Sequence, residues 1–97
     1  MPLRYLFKPT FQKAFERLDA QKQRLTVKAL EAIDEYFKTG KSTHGLGIKK
    51  LYDGSQAKTF EARVTIDLRI VWIQTKEEAV FALLGNHNDV RRFIKNL

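Results

Sequence analysis

The residues best equipped for chemistry are basic and gather in the C-terminal part of the chain: Arg63, Arg69, His87, Arg91 and Arg92, with Glu61 beside them. Val64 and Leu68 can close a three-residue turn between two alternating segments, which sets Arg63 across from Arg69 and Glu61 across from Val71. Two arginines face to face are destabilising, because directly opposed Cβ atoms sit ~4.5–5.5 Å apart. Such a pair makes sense when an anion lies between them. Guanidinium groups match phosphate oxygens in a bidentate fork and cannot lose their charge. The bland alternative is that both arginines fan out to solvent, with Glu61 or Asp67 neutralising them. A four-residue turn would instead send them to opposite faces.

His87 follows an apolar strand and a Gly-Asn turn, a position where catalytic side chains often sit. With an unperturbed pKa of about 6.5, histidine can serve as general acid or base near neutrality. A lone surface histidine is more often inert, yet no second histidine, serine triad or paired carboxylate competes for the role. Glu61, on the proposed arginine face, is the candidate carboxylate base. Arg91, Arg92 and Lys95 follow His87 within two helical turns. The helix dipole accounts for Lys95 at the C-terminal end but not for Arg91. Phe93 can pack in the core or stack on a base. Lys49 and Lys50 sit in a basic, glycine-bearing stretch that can approach phosphates, although it lacks P-loop spacing.

These residues need elements to hold them. Leu3 to Phe7 reads as a short strand stopped by Pro9, after which Thr10 can cap a helix carrying Phe11, Ala14, Phe15 and Leu18 on one face. Asp19-Ala20 is a tight break. A longer helix over 21–38 follows, with Leu25, Ala29, Ile33 and Phe37 in register and Gly40 where a stop belongs. The apolar stripes are core. From Thr39 to Ser55 the periodicity lapses, and four of the five glycines fall there, so the stretch reads as a flexible basic connection. Three strands then alternate: one with Phe60, Ala62 and Val64 on its core side, one from Leu68 to Ile73, and the apolar run from Ala79 to Leu84. Asn88 or Asp89 can cap a short final helix. The expected fold class is α+β: an N-terminal strand and helical hairpin, then an antiparallel β-meander and a short C-terminal helix, with helices on one face of the sheet.

Composition sets the bounds. Ninety-seven residues make a single domain spanning 1–97, and a 43% hydrophobic fraction can fill one core. Cysteine is absent, which removes disulfides and thiolate ligands. His44 and His87 lie too far apart for a local metal motif, so neither metal nor other cofactor is expected. No apolar run approaches the ~20 residues of a membrane span, and the start lacks a signal peptide's apolar stretch. The expected location is cytoplasmic. Eighteen Lys+Arg against eleven Asp+Glu give +7, and the pI is near 9.9. Such charge suits nucleic acid through counterion release, but equally an acidic protein partner or a merely soluble surface.

The succession of two helices, Lys50-Leu51, Phe60-Glu61-Ala62-Arg63, Leu68-Arg69-Ile70-Val71-Trp72, Val80 to Leu84 and Gly85-Asn86-His87 resembles the RelE/ParE toxin superfamily of type II toxin–antitoxin systems over almost the whole chain. The resemblance implies a toxin that cleaves mRNA on the ribosome without a metal, inhibits translation and is held by a cognate antitoxin. It places Arg63, Arg69 and His87 in the catalytic set, with Lys49, Lys50, Arg91, Arg92 and Phe93 binding RNA. Phe93 falls near the point where RelE-like toxins often carry a catalytic tyrosine. Phenylalanine moves no proton, so that work passes to His87. The superfamily also contains ParE-like gyrase inhibitors and admits non-catalytic binders, and the resemblance leaves both open.

Overall fold

The computed structural model describes residues 3–42 and 45–97; Met1, Pro2, Thr43 and His44 lie outside it, so the histidine at 44 and the first two residues of the start are not placed. The elements run β1 (Arg4–Phe7), α1 (Pro9–Arg17), α2 (Ala20–Thr39), β2 (Lys49–Asp53), β3 (Lys58–Arg63), β4 (Arg69–Gln74), β5 (Glu78–Gly85) and α3 (His87–Lys95). The strands form one sheet in the order β1-β5-β4-β3-β2. β1 pairs parallel with β5, and the other ladders are antiparallel. The α+β class expected from the sequence is the one observed.

Local chemistry explains the helix boundaries. Pro9 opens α1, where its fixed φ fits and its missing N–H costs nothing. Thr10 is not the cap. Lys8 occupies that position without a side-chain bond, and Thr10 Oγ1 donates instead to the Ala82 carbonyl at 3.0 Å, tying α1 to β5. Asp19 caps α2 by accepting from the Lys22 N–H at 2.8 Å. Gly40 ends it with φ +76°, a left-handed conformation that glycine adopts freely.

One face of the sheet holds the main core. Phe11, Ala29 and Ile33 from the helices meet Ala62, Ile70, Trp72, Ala79, Phe81 and Leu84 from the strands. Phe7 stacks on Phe81 with centroids 4.9 Å apart, and Phe37 meets Trp72 edge-on at 5.8 Å. Tyr5 pins β1 to α2 by donating its hydroxyl to the Asp34 carboxylate, which also pairs with Lys38 at 3.0 Å. Burial, then the Asp34 bond, push the Tyr5 phenol up to about 12. The same bond, with Lys38, holds Asp34 below the ordinary carboxylate range.

Two expectations need correction. The meander has four strands, because β2 forms inside the stretch read as a flexible connection, and Leu46 just before it is buried in the core. β2 hides from a pattern search because it is an exposed edge whose register shifts between Lys50 and Tyr52. The helices also do not share one face. Val71 is fully buried outside the main cluster, and Leu83, its register partner, lines an open groove with Phe93 and Leu97 at α3. α3 therefore covers part of the opposite face. By strand alternation that face also carries Lys49, Tyr52, Thr59, Glu61, Arg63, Arg69 and Gly85. Among the described residues, no helix is long and apolar enough to cross a membrane.

Candidate functional site

The β3–β4 hairpin has the three-residue turn. The Val64 N–H donates to the Leu68 carbonyl at 2.8 Å, Arg63 registers with Arg69, and Glu61 registers with Val71. Arg69 registers in turn with Gly85 of β5. One row across three strands thus reads Arg63, Arg69, Gly85, and His87 follows two residues later at the same end of the sheet.

The two arginines are not equivalent. Arg69 is largely buried, its side chain 18% exposed, and Nη1 donates to Glu61 Oε1 at 3.4 Å. Nη2 reaches the Ile66 carbonyl at 3.5 Å, while Nε is buried with no partner among the described residues. A buried donor left unpaired costs about 1–3 kcal/mol, so it favours any acceptor that arrives. Arg63 is exposed, with no carboxylate within 4.0 Å among the described residues. Its backbone N–H donates to the Leu46 carbonyl at 2.7 Å, and its guanidinium lies beside Gly47, where a Cβ would stand 3.9 Å from Cζ. Glu61 itself is only 5% exposed and engaged with Arg69, an arrangement that suits a partner for that guanidinium.

His87 is exposed and is the first residue of α3, not a loop residue. The expected caps, Asn88 and Asp89, give way to Asn86. Asn86 Oδ1 accepts from the Asp89 N–H at 2.9 Å, and Asp89 Oδ2 accepts from the Asn86 N–H at 2.9 Å, a reciprocal capping box. Asp89 also pairs with Arg92. Gly85 makes room for this arrangement, since a Cβ there would lie 2.5 Å from Asp89 Oδ2.

The remaining candidates divide. Lys49 is exposed on the arginine face, in register with Glu61. Lys50 is on the other face and pairs with Asp53 at 3.0 Å, holding that carboxyl below its usual range. Arg91 is exposed, Arg92 is exposed but paired, and Phe93 is half-buried in the open groove of about 400 Å³ beside Leu83. A cavity of about 900 Å³ lies between the β2–β3 and β4–β5 turns with Phe60, at the opposite end of the sheet. Phosphate binds exposed cations and needs no deep pocket, and exposed cations stand on the arginine face. Sequence reasoning missed the Asn86–Asp89 box, which its N-x-x-D spacing announces, and Tyr52, which no pattern announces.

A strand and two helices leading into an antiparallel meander with a short final helix is the architecture of the RelE-like toxins. The solved structures that share it include the archaeal RelE–RelB complex from Pyrococcus horikoshii OT3, with a TM-score of 0.69 and 18% identity over 89% of this chain and 96% of that one. The DinJ–YafQ toxin–antitoxin complex of E. coli gives 0.68 at 17% identity, covering 93% of this chain and 98% of that one. The YoeB dimer of Staphylococcus aureus gives 0.63 at 20% identity, covering 90% and 99%. No family model matches the chain, and a search of curated proteins returns no match. At these identities the likeness is one of fold.

Proposed function

We propose that this chain is the toxin of a type II toxin–antitoxin pair and a ribosome-dependent endoribonuclease that cleaves mRNA without a metal. The observation that carries the reading is the row of Arg63 and Arg69 ending at the strand that delivers His87. In the reaction, the RNA 2′-oxygen bonds to the adjacent phosphorus, the P–O5′ bond breaks, and the proton of the 2′-hydroxyl leaves as one is supplied to the 5′-oxygen. The phosphorane between these states carries extra negative charge. Preorganised donors aimed at such charge usually lower the barrier more than any other single effect. Arg63 meets it with a guanidinium that has no counter-charge among the described residues, and Arg69 with a donor set whose Nε has no acceptor among them. His87 handles the proton, since Phe93 cannot and Glu61 is occupied with Arg69. Lys49 and Arg91 hold flanking phosphates.

The partner follows from charge and fold. A +7 chain attracts an acidic or amphipathic segment, and two of the structural neighbours were crystallised as complexes with RelB and DinJ. An antitoxin covering the arginine face would silence the site in the cytoplasm. The test is induction in bacteria, with mRNA cleavage inside reading frames and plasmid supercoiling followed together. Arg69→Ala and His87→Gln should each relieve growth inhibition and abolish cleavage. Unaltered toxicity in both, or supercoiling damage without cleavage, overturns the proposal.

A further inference from the structure

The cations carried on the strands are of two kinds. Arg4 pairs with Glu78, Lys50 and Lys58 with Asp53, and Arg69 with Glu61. Lys49 and Arg63 have no carboxylate within 4.0 Å among the described residues. Both lie on the same face, near one another: Lys49 registers with Glu61, two residues before Arg63 on β3. Strand cations left unpaired together on one face are placed for an anion outside the chain.

Further along β2, that face carries Tyr52, which is 54% exposed. Simple alternation from Lys49 would turn Tyr52 to the opposite face. The register shift between Lys50 and Tyr52 instead pairs Tyr52 with Thr59 and brings it back to the side of Lys49. Bulges of this kind re-aim side chains. The ring then lies along Gly54, where a Cβ would stand 3.1 Å from Cε2 and 3.8 Å from Cδ2. The residue stays about half exposed, on the same face as Lys49.

We infer that Arg63, Lys49 and Tyr52 form a track for single-stranded RNA, in which the two cations hold phosphates and Tyr52 is a stacking platform for a base flanking the cleaved bond. Exposed aromatics on a basic sheet face bind bases by their π-faces, with little dependence on sequence. The inference rests on the ribonuclease reading but adds a base-binding subsite at Tyr52, a residue to which that reading gives no role.

The experiment uses the full chain and a short single-stranded RNA blocked by 2′-O-methyl groups, with affinity followed by fluorescence anisotropy across a salt series. Tyr52→Ala should weaken binding about tenfold, in the range base stacking supplies, without changing the slope of log K against log salt. Tyr52→Phe and Tyr52→Trp should bind like the parent, and Tyr52→Leu should not. Lys49→Ala should instead flatten the slope by about 0.7, the signature of one lost phosphate contact on a single strand. If Tyr52→Ala or Tyr52→Leu binds as tightly as the parent while Lys49→Ala and Arg63→Ala weaken binding, the stacking subsite is wrong and the ribonuclease reading survives. If the parent chain binds no RNA even at low salt, the track is wrong, while the ribosome-dependent ribonuclease reading is decided by the cleavage assay.

Discussion

Gly85→Ala is a one-carbon change whose consequence can be worked from the structure. The new Cβ would stand 2.5 Å from Asp89 Oδ2, 2.9 Å from its Cβ and 3.0 Å from its Cγ, against ordinary contact from 3.4 Å. The carboxylate must therefore retreat by about 0.9 Å, and its 2.9 Å bond to the Asn86 N–H goes with it. Overpacking costs about 1–3 kcal/mol and a lost helix cap about 1. Replacing glycine returns about 0.4–1 through the unfolded chain, so the net destabilisation is about 2 kcal/mol. Urea unfolding followed by the fluorescence of Trp72, the one tryptophan, reads this directly. Asp89→Ala alone should cost about 1 kcal/mol, and it removes two of the three crowding atoms. The double variant should then be at least about 1 kcal/mol more stable than the two single effects predict by addition. Because His87 opens the helix that this box starts, RNA cleavage per folded molecule should fall in Gly85→Ala as well. A Gly85→Ala cost below about 0.5 kcal/mol, or strictly additive effects, would refute the claim that Gly85 exists to seat Asp89.

Glu61→Gln leaves Arg69 buried without its counter-charge and should cost about 2 kcal/mol in the same unfolding assay. It should lower RNA cleavage by displacing the guanidinium; a variant as stable and active as the parent contradicts the pairing. The Tyr5–Asp34 contact contributes a pH dependence at both the alkaline and the acid end. Tyr5 titrates higher folded than unfolded, so its contribution is complete below about pH 10 and is lost as pH rises towards about 12. Asp34 is lowered in the fold, so its contribution holds above its unfolded value near 3.8 and is lost as pH falls further. Ultraviolet titration should show one tyrosine ionising near 12 in the parent and closer to the ordinary value in Asp34→Asn; identical curves would count against the bond.

What could be read in advance depended on whether a residue's neighbours were encoded nearby. The Arg63–Arg69 pairing was legible because a turn of known length between two alternating strands fixes the register by arithmetic. The helix stripes of Phe11, Ala29 and Ile33 were legible because burial on one face imposes its period. β2 was not, since an edge strand with a register shift and exposed side chains lacks the alternation that reveals other strands. Nor was the start of α3, where the Asn86–Asp89 box, with Gly85 leaving it room, replaces the caps expected from the sequence. Glu61 had two readings in the sequence, base or neutraliser, and its 3.4 Å approach to Arg69 favours the second. Lys49 and Lys50 look alike in the sequence, yet one faces the arginines and the other is occupied by Asp53.

A phosphate site built on a sheet must be stable when empty and still attract its ligand. Two unit charges ~5 Å apart repel by about 1 kcal/mol in water and about 3 at an effective dielectric of ~20, so an uncompensated arginine pair would strain the hairpin. A carboxylate set between the two would relieve that strain but stand where the phosphate must go. Glu61 avoids both outcomes by its place in the register. It lies two residues from Arg63 along β3 and diagonally across from Arg69, so it engages one guanidinium and leaves the other open. Arg63 turns instead to the Gly47 side, away from the ion pair. The repulsion is relieved on one partner only, and the face keeps a net positive charge beside the helix that starts with His87. That asymmetry, more than the +7 of the whole chain, is what favours the proposed phosphodiester site on this face.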